Sequence, residues 1–129
     1  MIVVDTSAIV AMLFGEAEAL LYGKLLAAAT EVRMSAVTDY ETRVVLHARG
    51  PAMIERYDAL LEEIGVALIP FDRHQSLLAS EGYRRWGKSN HPARLNLGDC
   101  AAYALAMNLD APLLFKGADF ARTDVRRAL

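Results

Sequence analysis

Cysteine occurs once in the 129 residues, at Cys100, so no internal disulfide can form. That favours a reducing compartment, and a cytoplasmic location is expected. Histidine occurs three times, as His47, His74 and His91, with no shared metal-ligand spacing, which disfavours an imidazole-built metal centre. Long apolar runs are missing too: none reaches the roughly 18 residues a membrane span needs. The opening MIVVDTSAIVAMLF lacks a basic flank and carries Asp5 early, which makes a poor signal peptide. Only four prolines are present, and no linker, repeat or low-complexity stretch appears. With 54% apolar residues, the chain has the makings of one ordered domain over residues 1–129.

A strong charge of one sign is also missing. Fourteen basic and sixteen acidic side chains leave a net charge of −2, which by itself speaks against nucleic acid as a partner. The arrangement is less even than the total. The stretch YRRWGKSNHPAR, residues 83–94, holds Arg84, Arg85, Lys88 and Arg94 with no acid among them. These four are candidates for contacts to an RNA backbone, and equally for a solvated basic face. Tyr83 and Trp86 in the same stretch could stack on bases, though core or interface packing is the commoner role for aromatics. The tail adds Lys116, Arg122, Arg126 and Arg127.

Four short aliphatic runs are present: IVVD (Ile2–Asp5), EVRM (Glu31–Met34), VALIPF (Val66–Phe71) and PLLF (Pro112–Phe115). Stretches of helical period lie between them, over Ser7–Phe14, Glu16–Ala29, Ala36–Arg49, Pro51–Ile64, Asp72–Gly87 and Leu97–Leu109. Gly50-Pro51 ends one helix and starts the next, and Gly15, Gly65 and Gly87 stand at expected stops. Short strands separated by helices predict an α/β fold with a mainly parallel sheet covered on both faces. Two consecutive helices between the second and third strands disfavour an even β-α repeat. In the third helix, Val37, Tyr40, Val44 and Val45 are expected to form the apolar stripe, with Glu41 at its border.

In such sheets ligands gather beyond the carboxyl ends of the strands. Asp5 ends the first strand in VVDTS, where it also suits a helix N-cap. Glu41 lies in the helix after the second strand, where an exposed acid is the ordinary alternative. Asp99, in LNLGDCAAYALA, becomes the third helical residue if Asn96 caps, and shares a face with Ala102, Tyr103 and Ala106. Asp119 follows the fourth strand in FKGADF, and Asp124 in RTDVR is a weaker fifth candidate. Two carboxylates 4 Å apart repel by on the order of 4 kcal/mol at a surface-like dielectric. A converging set therefore calls for raised pKa values or a bound cation, and oxygen donors select Mg²⁺ or Mn²⁺. Such an ion beside carboxylates commonly binds phosphate oxygens and activates water.

Taken together, VVDTSA, SAVTDYE, LNLGDCAAYALA and LLFKGADF give the chain a resemblance to PIN-domain ribonucleases of the VapC type, the toxin half of bacterial and archaeal toxin–antitoxin pairs. The resemblance runs over nearly the whole chain. It implies a three-layer α/β/α sandwich around a central sheet of four to five strands. It implies Mg²⁺- or Mn²⁺-dependent hydrolysis of RNA, often in tRNA or rRNA loops, through a metal-activated water, leaving 5′-phosphate and 3′-hydroxyl ends. It also implies a homodimer and a cognate VapB-type antitoxin that blocks the site. By position, Asp5 and Asp99 would be the metal ligands, with Glu41 and Asp119 completing the acidic site. Thr6 and Ser7 would stand beside them as hydroxyl donors. Lys116, which follows a strand and precedes the Asp119 loop, could touch phosphate and could equally be an ordinary surface lysine. Asp39, two residues before Glu41, departs from the family pattern, where an apolar residue is usual.

Two other classes fit parts of the sequence. A phosphorylated receiver would use Asp72 as acceptor and Lys116 as its partner, but needs paired acids after the first strand and an even alternation of strand and helix. A PIN-like module that binds RNA or a partner without cutting would have no use for four intact acids.

Overall fold

The computed structural model describes residues 1–129. Strand β1 (Ile2–Val4) leads into α1 (Thr6–Leu13) and α2 (Ala19–Ala28). Strand β2 (Val32–Ser35) is followed by α3 (Ala36–His47) and α4 (Pro51–Ile64). Strand β3 (Val66–Ile69) precedes α5 (Arg73–Trp86) and α6 (Leu97–Asn108), then β4 (Leu113–Leu114) and a 3₁₀ turn at Phe120–Arg122. The strands form one parallel sheet in the order β3-β2-β1-β4. Val3 faces Arg33 on one side and Leu113 on the other.

Because the sheet is parallel, helices must return over its faces, and both faces are buried. Strand alternation sends Ile2, Val4, Val32, Met34 and Leu114 to one core, against α1, α2 and α4. Val3, Leu113 and Phe115 go to the other, against α6 and the α5 residues Ala79 and Trp86. The three-layer α/β/α sandwich is thus the expected one, with four strands. The predicted elements recur within a few residues of their ends. The fourth strand shortens to two residues, and α2 starts only at Ala19 because residues 16–18 form a turn. Helix α4 opens on Pro51 at its first position and closes on Gly65, whose left-handed φ of 76° suits the residue without a side chain.

One expectation about α3 is overturned. Tyr40, Val44 and Val45 are exposed, Tyr40 by 69%, while Thr38, Thr42 and Leu46 form the buried face. Two stripes share the same helical period, and the polar one goes inside with the Thr42 hydroxyl bonded and the Thr38 hydroxyl left without a partner. Thr42 Oγ1 lies 2.8 Å from Thr38 O and 2.9 Å from Thr6 Oγ1. Asp39, the departure from the family pattern, accepts from the Tyr57 hydroxyl at 2.8 Å and from Arg43 Nε at 3.3 Å.

Tyr57 is completely buried and links α4 to both α3 and Met34 of the sheet. Tyr57→Phe should cost about 1–3 kcal/mol, the worth of a hydrogen bond to a charged group. Tyr57→Ala should cost about 3–5 kcal/mol through the cavity it leaves. Urea unfolding of the two variants measures both, and a Tyr57→Phe variant as stable as the parent would show that the hydroxyl contributes nothing.

Candidate active site

All four strands point their carboxyl ends the same way, and Asp5 and Asp119 follow two of those ends, while Glu41 comes from α3 and Asp99 from α6. Asp5 is the first residue past β1. Its backbone N–H donates to Leu114 O of β4, and its side chain caps α1. Oδ2 accepts from Ser7 N at 3.0 Å and from Ser7 Oγ at 2.7 Å. Ser7 Oγ in turn accepts from Lys116 N at 3.0 Å, so β1, α1 and the segment after β4 are joined at this one carboxylate. Oδ1 of Asp5 is buried and has no partner. Only 3% of the residue is exposed. Burial pushes its pKa up to about 6, against the lowering effect of the Ser7 bonds, and the Glu41 charge adds to the rise.

Asp99 sits in the first turn of α6. It forms a capping box with Asn96: Asn96 Oδ1 accepts from Asp99 N at 2.8 Å, and Asp99 Oδ2 accepts from Asn96 N at 3.0 Å. Capping occupies only that one oxygen, so the same side chain serves the helix and the site. Burial pushes its pKa up to about 7, opposed by the Asn96 bond and reinforced by the charges of Asp5, Glu41 and Asp119. Asp99 therefore lies in the field of the other three predicted acids.

Glu41 enters from α3, where Thr6 Oγ1 donates to its Oε1 at 2.8 Å. Asp119 is exposed at the head of the 3₁₀ turn and makes no capping bond. No group of three or more His, Cys, Asp and Glu side chains is gathered closely enough to enclose an ion by itself. A magnesium ion does not require that, since it commonly keeps several waters and takes one or two carboxylates. Hard oxygen donors of one charge sign, with a bare buried oxygen on Asp5, fit such an ion.

Other candidates are placed elsewhere. Asp124 accepts from the Tyr103 hydroxyl at 2.8 Å and from Arg85 Nη1 at 3.2 Å, in a clasp that ties the tail to α5 and α6. Arg85 also lies over the Trp86 ring, and Arg84 is paired with Glu81. Trp86 packs edge-on to His91 and donates to Tyr103, so its role is packing. Lys116 Nζ bridges Glu16 and Glu18, each at 3.1 Å, so it is not free for phosphate. Lys88 and Arg94 carry no acid partner, and Lys88 borders a groove of about 630 Å³ with Asn96, Leu97, Tyr83, Phe71 and Val37. The buried pair Thr38 and Thr42 was not anticipated. Their spacing of four residues, flanking Glu41, was the available signal.

Both Asp5 and Asp99 bind a proton more tightly folded than unfolded. Their contribution to stability is complete below about pH 4 and is lost as pH rises through about 6 and about 7. In EDTA, Asp99→Asn should match the parent near pH 4 and exceed it at pH 8 by about 1–3 kcal/mol. Urea unfolding at the two pH values checks this, and a variant no more stable at pH 8 overturns it. Asp124→Ala should lower the Tm without weakening Mn²⁺ binding, measured by calorimetry.

The PIN domain family matches residues 2–126. Ribonuclease VapC28 of Mycobacterium tuberculosis is 44% identical over 129 residues, covering 98% of this chain and 97% of its own. Ribonuclease VapC of Mycolicibacterium smegmatis is 43% identical over 124 residues, covering 95% and 96%. Among solved structures, the sarcin–ricin loop cleaving toxin VapC20 of M. tuberculosis superposes with a TM-score of 0.76 at 21% identity, over 97% of this chain and 96% of that one. A toxin–antitoxin complex from Klebsiella pneumoniae gives 0.73 at 18% identity, over 96% and 93%. These two likenesses concern the fold. The receiver alternative fails on the same ground, and in the structure Asp72 only caps α5 while Lys116 is held by two glutamates. A match that runs almost from end to end, with relatives this similar over their full lengths, makes the chain a PIN domain of the VapC ribonuclease family.

Proposed function

We propose that the chain, acting as one PIN domain over residues 1–129, is a divalent-metal-dependent endoribonuclease and the toxin component of a type II toxin–antitoxin system in the cytoplasm. The observation that carries this is the desolvated Asp5 carboxylate, one oxygen bonded and one bare, in the field of Asp99 and Glu41. Asp5 and Asp99 would hold Mg²⁺ or Mn²⁺, with Glu41 and Asp119 joining directly or through water. Such an ion supplies charge stabilisation at a phosphoryl group and a water of lowered pKa.

The chain's own residues do the positioning. Ser7 aims Asp5, Thr6 holds Glu41, and the Asn96 box fixes Asp99. Lys88 and Arg94 are free to hold an RNA backbone, whereas Arg84 and Arg85 would first have to leave Glu81 and Asp124. A structured RNA loop in tRNA or rRNA is the proposed substrate, in keeping with the sarcin–ricin loop cut by VapC20. A VapB-type antitoxin is the proposed inhibitor. Its support is the toxin–antitoxin complex from Klebsiella and the VapBC2 complex from Rickettsia felis, solved on promoter DNA. A homodimer is supported by the apolar side chains left uncovered at Tyr40, Val44, Leu77 and Leu97.

Purified free of antitoxin, the protein should cut total RNA at discrete sites with Mg²⁺ or Mn²⁺ and not with EDTA. Asp99→Asn should lower cleavage by more than about a hundredfold, beyond the usual effect of an outer-shell change. Equal cleavage by parent and variant would sink the site assignment. Metal binding without any cleavage would favour the non-cutting module.

A further inference from the structure

Glycine at position 98 is out of place by the usual rules. It is the second residue of α6, inside a helix, where glycine is a poor helix former. Its backbone does not need glycine either, since it is absent from the positive-φ residues. The reason lies across the interface with α3. A Cβ built on Gly98 would stand 2.7 Å from Glu41 Oε1 and closer still to Cδ and Oε2. The carboxylate of Glu41 therefore lies against the bare Cα of Gly98, in the volume a methyl group would fill.

A second contact holds it there. Thr6, a residue only 8% exposed, reaches Glu41 Oε1 with its Oγ1 at 2.8 Å and Thr42 Oγ1 at 2.9 Å. Thr6 gives its proton to the Glu41 carboxylate, and Thr42 Oγ1, which also donates to the Thr38 carbonyl at 2.8 Å, packs against Thr6 Oγ1 from behind.

We propose that Gly98 is a positioning residue of the acidic site: its missing side chain is the seat of the Glu41 carboxylate, and Thr6, backed by Thr42, holds the carboxylate in that seat. The inference rests on the nuclease reading for its consequence, the placing of Glu41 beside Asp5 and Asp99. It does not rest on that reading for its geometry. The obstructed atoms are the far end of a flexible side chain, so an added methyl moves Glu41 and spares the fold.

The test is a thermal cycle in EDTA with Gly98→Ala, Glu41→Ala and the double variant. Alanine is the better helix former, so Gly98→Ala should raise the Tm when Glu41 is absent. It should raise it less, or lower it, when Glu41 is present. Additive changes would overturn the proposal. Gly98→Ala should also bind Mn²⁺ roughly tenfold more weakly by calorimetry, in the range of outer-shell losses. It should lower kcat for RNA with KM little changed, and Thr42→Val should act in the same direction while Thr42→Ser does not. Wild-type Mn²⁺ affinity and kcat in Gly98→Ala would equally overturn it. If the parent protein neither binds Mn²⁺ nor cuts RNA, the nuclease reading fails, and the thermal cycle alone still decides whether Gly98 seats Glu41.

Discussion

A carboxylate taken out of water with one oxygen left bare is expensive, and the loop-end of this sheet is organised around one. Asp5 cannot leave: its backbone is bonded into β4, and its side chain caps α1. Nor can it be relieved by a neighbouring cation, since Lys116, the nearest basic residue in that segment, is drawn off by Glu16 and Glu18. What surrounds it instead is more negative charge, from Glu41 directly and from Asp99 across the site. Without a metal the site is a place of stored repulsion, relieved by protons at low pH. A divalent ion would relieve it at neutral pH, and stabilising the fold and binding the ion would then be the same event.

The fold delivers these acids by simple means. A parallel sheet puts all its carboxyl ends on one edge, so residues that end β1 and follow β4 are neighbours although they are more than a hundred positions apart in the chain. Helix α3 adds Glu41 from the side, and the first turn of α6 adds Asp99. At α6 the helix dipole and the capping box favour an acid for reasons unrelated to chemistry, which lets a carboxylate of the acidic cluster also anchor its own helix. Hydroxyls rather than cations do the aiming. Ser7, Thr6 and Thr42 orient carboxylates without neutralising them, and so leave the charge available.

The basic residues divide in the same way. Arg84, Arg85 and Lys116 look alike in sequence, but each is engaged by an acid, while Lys88 and Arg94 are not. Asp124 likewise belongs to a clasp with Arg85 and Tyr103 that fastens the C-terminal segment. An acid near the others in the chain is in this case a structural tie.

The sequence by itself determined the element order, the parallel sheet and the position of Asp5, Glu41, Asp99 and Asp119 at its edge. It did so because strand runs, helical period, capping residues and glycine stops are local patterns, and local patterns survive reading in one dimension. Asp99 was legible as both cap and acid for that reason. Tertiary structure alone decided which face of α3 went inside. Its valine-tyrosine stripe and its threonine-leucine stripe have the same period, and only the fold brings the Thr6 hydroxyl across the core to meet Thr42 on the buried one. It alone decided that Lys116 is spent on Glu16, a hundred residues away, because ion pairs form between charges that no spacing rule connects. And it alone gave Gly98 its meaning: a missing side chain is informative only when the atoms that occupy its place are known.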